Sequence, residues 1–290
     1  MSDLDTFFER ANRLLAKLET IFASSGKITF DTDDAYCWQY CPHTRKLSAV
    51  HNPVTTSLND LQCIESQKNT LITNTRQFLQ GLPANNALLW GPRGTGKSSL
   101  IKALLNHFHK DGLRLIEIQR GDMLQLPEIC DQLYGKHGRF ILFCDDLSFE
   151  ENDPSYKAIK VVLDGSIKST PENVLVYATS NRRHLVPEKM SENLESGLID
   201  GDLHYGDTVE EKLSLSERFG LQISFHPFNQ DQYLTIVHYW LGKLMPNGSF
   251  DKKESDKAAL QWALQHGSRS GRSAMLFSRD WAGKSGLREE

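Results

Sequence analysis

Eight consecutive residues, Gly91-Pro92-Arg93-Gly94-Thr95-Gly96-Lys97-Ser98, fit the Walker A pattern in full. Its glycines let the backbone curl so that successive N–H groups converge on phosphate oxygens. A helix starting at Lys97 turns its positive end toward the same anion. Lys97 is then in reach of the β- and γ-phosphates, and the Ser98 hydroxyl is placed to ligate Mg²⁺. Gly91 to Ser99 are therefore expected to cradle a nucleoside triphosphate, with ATP the expected substrate. The plainer alternative is a glycine-rich turn that only joins a strand to a helix.

Downstream, Arg139-Phe140-Ile141-Leu142-Phe143-Cys144 is an apolar run that ends in two carboxylates, Asp145 and Asp146. One strand-helix unit after a phosphate loop, such a run delivers an acid to the metal shell, the Walker B arrangement. Asp145 is expected at the Mg²⁺, and Asp146 where a general base polarises the attacking water. Val174–Ala178 is a second apolar run, ending in Thr179-Ser180-Asn181. Asn181 would orient that water or sense the γ-phosphate; a plain strand-ending turn is the alternative. In Ser216-Glu217-Arg218-Phe219-Gly220 an arginine is available to stabilise transition-state charge. Arg269 and Arg272 offer a second source further on.

These residues need a frame, and the hydrophobic pattern supplies one. Strands are expected at Ala87–Trp90, Leu113–Ile118, Phe140–Cys144, Val174–Ala178 and Leu221–Phe225, with helices at Lys97–His109, Asp122–Tyr134 and Ser155–Ser166 between them. Alternation of this kind means a parallel sheet covered by helices on both faces. A helical stretch from Leu58 to Leu79, with Asn59 or Asp60 as candidate cap, precedes it, and Asn85-Asn86 then breaks the chain. From Gln230 onward the pattern is helical only, a small bundle. Leu4, Phe7, Phe8, Ala11, Leu14, Leu15, Leu18, Ile21 and Phe22 mark an amphipathic helix that either docks on its own core or meets a partner. Residues 26–56 read as irregular with short strands. The division expected is 1–57 as an N-terminal segment, 58–228 as the α/β core and 229–290 as a helical lid.

The 290 residues, 39% hydrophobic and 24% charged, suit one α/β domain with a small appendage. No apolar run spans a membrane, and Asp3 and Asp5 argue against a signal peptide. A net charge of −4 provides no global basic field for nucleic acid. Five unpatterned cysteines point to reduced thiols and a cytoplasmic setting. Cys37 and Cys41, with His43 and His51 nearby, are a poor zinc set, because no second cysteine pair accompanies them.

In this order the motifs resemble the AAA+ ATPase superfamily. "NNALLWGPRGTGKSSLIKALL" at Asn85–Leu105, "FCDDLSFE" at 143–150 and "SLSERFGLQISF" at 214–225 resemble one branch of small stand-alone AAA+ proteins more closely, the domain of unknown function 815. The resemblance implies that Asn181 is the sensor 1 residue and Arg218 an arginine finger acting on a neighbouring subunit. It makes Arg272 the sensor 2 arginine, with Arg269 as runner-up, and places the adenine-contacting segment at Asp60–Ile64. It also implies an ATP-dependent homo-oligomer. Two departures stand out. Most AAA+ proteins end Walker B in Asp-Glu, whereas Asp145-Asp146 is found here, as in the replication-initiator branch. Between Ile118 and Phe140 there is room for about one helix and no aromatic pore loop, and Tyr134-Gly135 falls just before the Walker B strand.

Three functions are consistent with these features. The first is an oligomeric ATPase that remodels a protein client; the second is a slowly hydrolysing nucleotide switch or loader. A nucleic-acid-associated factor ranks third, because Arg269, Arg272, Arg279, Lys284 and Arg288 form the only basic cluster. The acidic stretch 188–211 is either a solvated insertion or a partner-recognition surface.

Overall fold

The computed structural model describes residues 29–30, 35–149, 153–164, 171–182, 185, 198–199, 202–203, 215–246 and 250–287. The expected helix at 4–22 and most of the acidic stretch lie outside the described residues. In chain order, strands β1 (Thr29–Phe30), β2 (Cys37–Cys41) and β3 (Lys46–Ala49) precede helix α1 (Glu65–Leu79). Strand β4 (Ala87–Trp90) leads to α2 (Lys97–Phe108), β5 (Leu113–Ile118) to α3 (Leu126–Leu133), and β6 (Arg139–Cys144) to α4 (Ser155–Asp164). Next come β7 (Val174–Ser180), a ribbon of β8 (Leu198–Ile199) and β9 (Asp202–Leu203), and β10 (Leu221–Ser224). Helices α5 (Gln230–Leu244), α6 (Lys252–Gln265) and α7 (Gly271–Gly286) come last. Among the described residues, no helix is long and apolar enough to cross a membrane.

The five expected strands lie side by side in the order β5-β6-β7-β4-β10 and all run parallel. The sheet is wider than five strands, however: its order is β1-β3-β2-β5-β6-β7-β4-β10. Residues 29–49, expected in an N-terminal segment, supply the other three. Strand β2 pairs parallel with β5, and β3 turns back antiparallel on β2. These strands are short and mixed in polarity, so they read weakly in a sequence, but Trp38, Tyr40 and Leu47 bury against the sheet.

Side-chain alternation along β6 shows how the layers form. Phe140, Leu142 and Cys144 face a cluster containing Leu126, Ile129 and Leu133 of α3 and Ile159 of α4. Ile141 and Phe143 face the opposite cluster, with Leu71 and Phe78 of α1 and Leu100, Ile101 and Leu104 of α2. Both faces are covered, which is why the strand is apolar throughout rather than alternating. Residues of the C-terminal helices, Tyr233, Ile236, Val237, Leu241, Ala259 and Ala274, belong to that second cluster too. The expected small bundle therefore shares a core with the sheet.

Asn85 and Asn86 do more than break the chain. The Asn74 side chain donates to the Asn85 carbonyl at 2.8 Å and accepts from its N–H at 3.0 Å. It also donates to the buried Tyr177 hydroxyl of β7 at 2.9 Å. Asn86 accepts the Val176 N–H at 2.8 Å. These bonds lock α1 and the entry to β4 onto β7, which fixes where the phosphate loop begins.

Candidate nucleotide site

The loop after β4 is shaped by close approaches. Gly91 has φ 139° and donates its N–H to Ser180 O at 3.1 Å. A Cβ at this position would sit 2.1 Å from the Phe225 carbonyl oxygen, so only glycine fits. Gly94 has φ 75°, and its carbonyl accepts the Gly271 N–H at 2.9 Å, which brings the first turn of α7 against the loop. Thr95 Oγ1 closes the curl by donating to Pro92 O at 2.9 Å. Lys97 Nζ donates to Gly91 O at 2.6 Å and to Pro92 O at 2.7 Å, and lies 3.4 Å from Asn181 Oδ1. Burial lowers the Lys97 pKa, against the opposing pull of Asp146 and Asp145.

The two carboxylates are held by different partners. Asp145 Oδ1 accepts from Ser98 Oγ at 2.6 Å and from Thr179 Oγ1 at 2.6 Å. One carboxylate beside one hydroxyl is the kind of donor set Mg²⁺ uses while keeping waters and substrate phosphates as its other ligands. Asp146 is in the left-handed region, φ 52°, with its N–H donated to Thr179 Oγ1 at 2.9 Å. Its carboxylate accepts from the Asn181 side-chain amide and lies 3.6 Å from Arg93 Nη2.

Thr179 escaped the sequence reading. Cys144 pairs with Ala178, so the next register position sets Thr179 beside Asp145. Only 1% exposed, it donates to one acid and anchors the backbone of the other. The available signal was a hydroxyl two residues before Asn181, at the end of a strand paired with β6.

A cleft of about 740 Å³ joins these groups to an apolar end. Arg93 to Ser99, Asp145, Asp146 and Asn181 wall its polar part. Leu61, Ile64, Phe228, Ile236 and Trp240 form its apolar wall, with Asp60, Gln62 and Lys243 beside them. Leu61 and Ile64 belong to the connection before α1. Ser57 caps a turn at Leu58–Asp60, and the α-helix itself begins only at Glu65, later than the expected start at Leu58. From α7 come Arg272 and, two turns on, Arg279, which was not singled out as a cleft residue; Arg269 is not part of the wall. Gly91 and Pro92 stand behind Lys97 as its carbonyl acceptors. Arg218 is outside the cleft, with Nε bonded to Asp164 Oδ2 at 2.6 Å and Oδ1 at 2.5 Å. That pairing raises its pKa further. A polar, cation-lined end beside an apolar one suits a ligand with phosphates at one end and a flat apolar group at the other.

The family described as "Protein of unknown function (DUF815)" matches residues 31–285. An AAA-ATPase of Arabidopsis thaliana is 30% identical over 134 residues, 40% of this chain and 28% of that protein. The replication factor C large subunit of Ignicoccus hospitalis is 39% identical over 67 residues, 22% of this chain and 13% of its own. The chain thus spans less than a third of the length of these relatives. The Thermotoga maritima RuvB Holliday junction branch migration motor superposes with a TM-score of 0.52 at 14% identity, over 77% of this chain and 63% of that one. A variant of the same RuvB superposes with a TM-score of 0.52 at 16% identity and the same coverage. At such identity the likeness is one of fold.

Proposed function

Because the chain belongs to the DUF815 family of AAA+ proteins, we propose that it binds ATP with Mg²⁺ and hydrolyses it to remodel or assemble a macromolecular partner. The observation that carries this reading is the convergence of Lys97, the Ser98–Asp145 pair and the Asn181–Asp146 pair on one cleft. Residues 58–228 act as the nucleotide-binding core and 229–290 as its lid, in a cytoplasmic protein whose five cysteines are free.

In this reading the loop amides and Lys97 gather the phosphates, and Lys97 leaves the Gly91 and Pro92 carbonyls to do so. Ser98 and Asp145 would hold a Mg²⁺, which would supply charge neutralisation to the polyphosphate. Asp146, oriented by Asn181, accepts the proton of the attacking water. Arg272 and Arg279 reach the polyphosphate from the lid, and Leu61, Ile64 and Trp240 enclose the base. Arg218, which lies outside its own cleft, would complete the site of a neighbouring copy in the manner of an AAA+ arginine finger.

A second reading, slow turnover by a switch or loader, is favoured by the Asp146 carboxylate, which is already engaged by Asn181 and lies near Arg93. A protein client fits better than nucleic acid. Although the names of the RuvB motor and replication factor C belong to DNA metabolism, the basic residues of α7 are largely committed. Arg272 and Arg279 line the cleft, and Lys284 pairs with Asp280 at 2.7 Å.

Asp146→Asn tests the assignment. The variant should retain ATP through purification and lose hydrolysis, so that its client co-purifies. Recovery of ADP alone from the variant would refute Asp146 as the base.

A further inference from the structure

Asp60 and Lys243 line the cleft beside its apolar end, in a polar cluster that the phosphate chemistry does not use. Asp60 is a carboxylate with only 6% of its side chain exposed, and its oxygens divide between two structures. Oδ2 accepts the Ser57 N–H at 2.9 Å and so completes the capping box of the turn at Leu58–Asp60. Oδ1 accepts from the Tyr239 hydroxyl at 2.7 Å and from the Lys243 ammonium, both on α5. Burial disfavours the charged form, but Lys243, Tyr239 and the Ser57 N–H together hold the acid below the usual carboxylate range. Tyr239 is correspondingly pushed up to about 12, by burial and then by Asp60.

Helix geometry links this cluster to the cleft. Tyr239 and Lys243 are one turn apart, and Ile236 and Trp240 continue the same stripe at helical spacing. Ile236 and Trp240 wall the cleft, and the Lys243 ammonium lies 5.1 Å from the centre of the Trp240 ring. Opposite them stand Leu61 and Ile64, whose backbone has no regular structure to hold it. Leu61 is extended, Cys63 has φ 64°, and Ile64 caps α1 without a side-chain hydrogen bond. The segment is anchored by Asp60 at one end and α1 at the other, by Lys68 Nζ on the Leu61 carbonyl at 2.7 Å, by Cys63 Sγ donating to the Gln232 carbonyl of α5 at 3.8 Å, and by burial of Ile64.

We propose that Asp60 is a positioning residue that fixes the spacing between the Leu61–Ile64 wall and the lid helix α5, and thereby sets affinity for the nucleoside part of ATP and couples it to the lid. The proposal rests on the ATP-site reading. A slot for a flat base gains affinity when its walls are already at the right separation, because no ordering has to accompany binding. The phosphate end depends on this clamp less, because the loop is also held by Gly91 on Ser180 O and by Thr95 on Pro92 O.

The test is calorimetric titration of the full chain and of Asp60→Asn with two probes, Mg²⁺·ATP and Mg²⁺·tripolyphosphate. Affinity for ATP should fall about tenfold or more, the scale of one charged hydrogen bond. Affinity for tripolyphosphate should fall by much less, so the ratio of the two drops. Lys243→Met supplies the same measurement should Asp60→Asn fail to fold. An unchanged ratio, whether neither affinity moves or both fall together, overturns the clamp. A wild-type protein that binds neither probe overturns the ATP-site reading itself, a result distinguishable from the first.

Discussion

Replacing Thr179 by valine removes one hydroxyl and keeps the shape of the side chain. That hydroxyl donates to Asp145 at 2.6 Å and accepts the Asp146 N–H at 2.9 Å. The first loss frees the Asp145 carboxylate to rotate away from Ser98. A hydrogen bond to a charged group contributes about 1.5–3 kcal/mol. Removing the group that orients a metal-binding acid typically costs about 10–100-fold in metal affinity or activity. At about 1.4 kcal/mol per tenfold these two estimates agree. The second loss leaves an N–H facing a methyl group at a residue already in the left-handed region, and costs about 1–3 kcal/mol of stability. Titrating turnover with Mg²⁺ should show the half-saturating concentration rising about 10–100-fold in Thr179→Val, with Thr179→Ser close to wild type. A parallel thermal melt should show a lower midpoint for the valine variant only. If Thr179→Val keeps the wild-type Mg²⁺ dependence, Asp145 is not held for metal by this bond and the reasoning fails.

Arg218→Ala should leave nucleotide affinity unchanged and reduce turnover by about 10³-fold or more. Mixing it with Lys97→Ala subunits, which retain Arg218, should restore part of the rate; no recovery on mixing would remove Arg218 from the neighbour's site. Alkylation at pH 8, read by mass spectrometry, should label Cys41 first among the five thiols. A hydrogen bond from the Thr44 side chain lowers the Cys41 pKa, so more of it is thiolate at that pH. Burial pushes Cys130 and Cys144 up to about 12 and Cys37 up to about 11, so these should react only once the protein unfolds. Rapid labelling of Cys144 in folded protein would contradict its place in the sheet.

The parts of the site legible in the sequence are those whose geometry is local. The phosphate loop could be read because glycine is needed where Gly91 meets Phe225 and where Gly94 meets Ser270, and these needs recur at fixed spacing. Strands β4, β6 and β7 could be read because burial on both faces makes them almost continuously apolar. What escaped was set by contacts distant in sequence. Thr179 matters only because strand register places it beside Asp145, 34 residues away. Asp60 was noticed as a cap and as part of a base-contacting segment, but its main donors lie on α5, 179 and 183 residues later. Strands β1 to β3 went unplaced because β2, which joins them to the sheet, pairs with β5 far along the chain, and their own pattern is mixed. Arg279 became a cleft residue only when helix α7 fixed its face two turns from Arg272.

Titrating the purified chain with ATP in the presence of Mg²⁺, alongside Lys97→Ala, tests the central claim most directly. The account predicts saturable heat at one nucleotide per chain for the wild type and none for the variant. A folded wild-type protein that gives no heat, or a Lys97→Ala protein that binds as tightly, would contradict it.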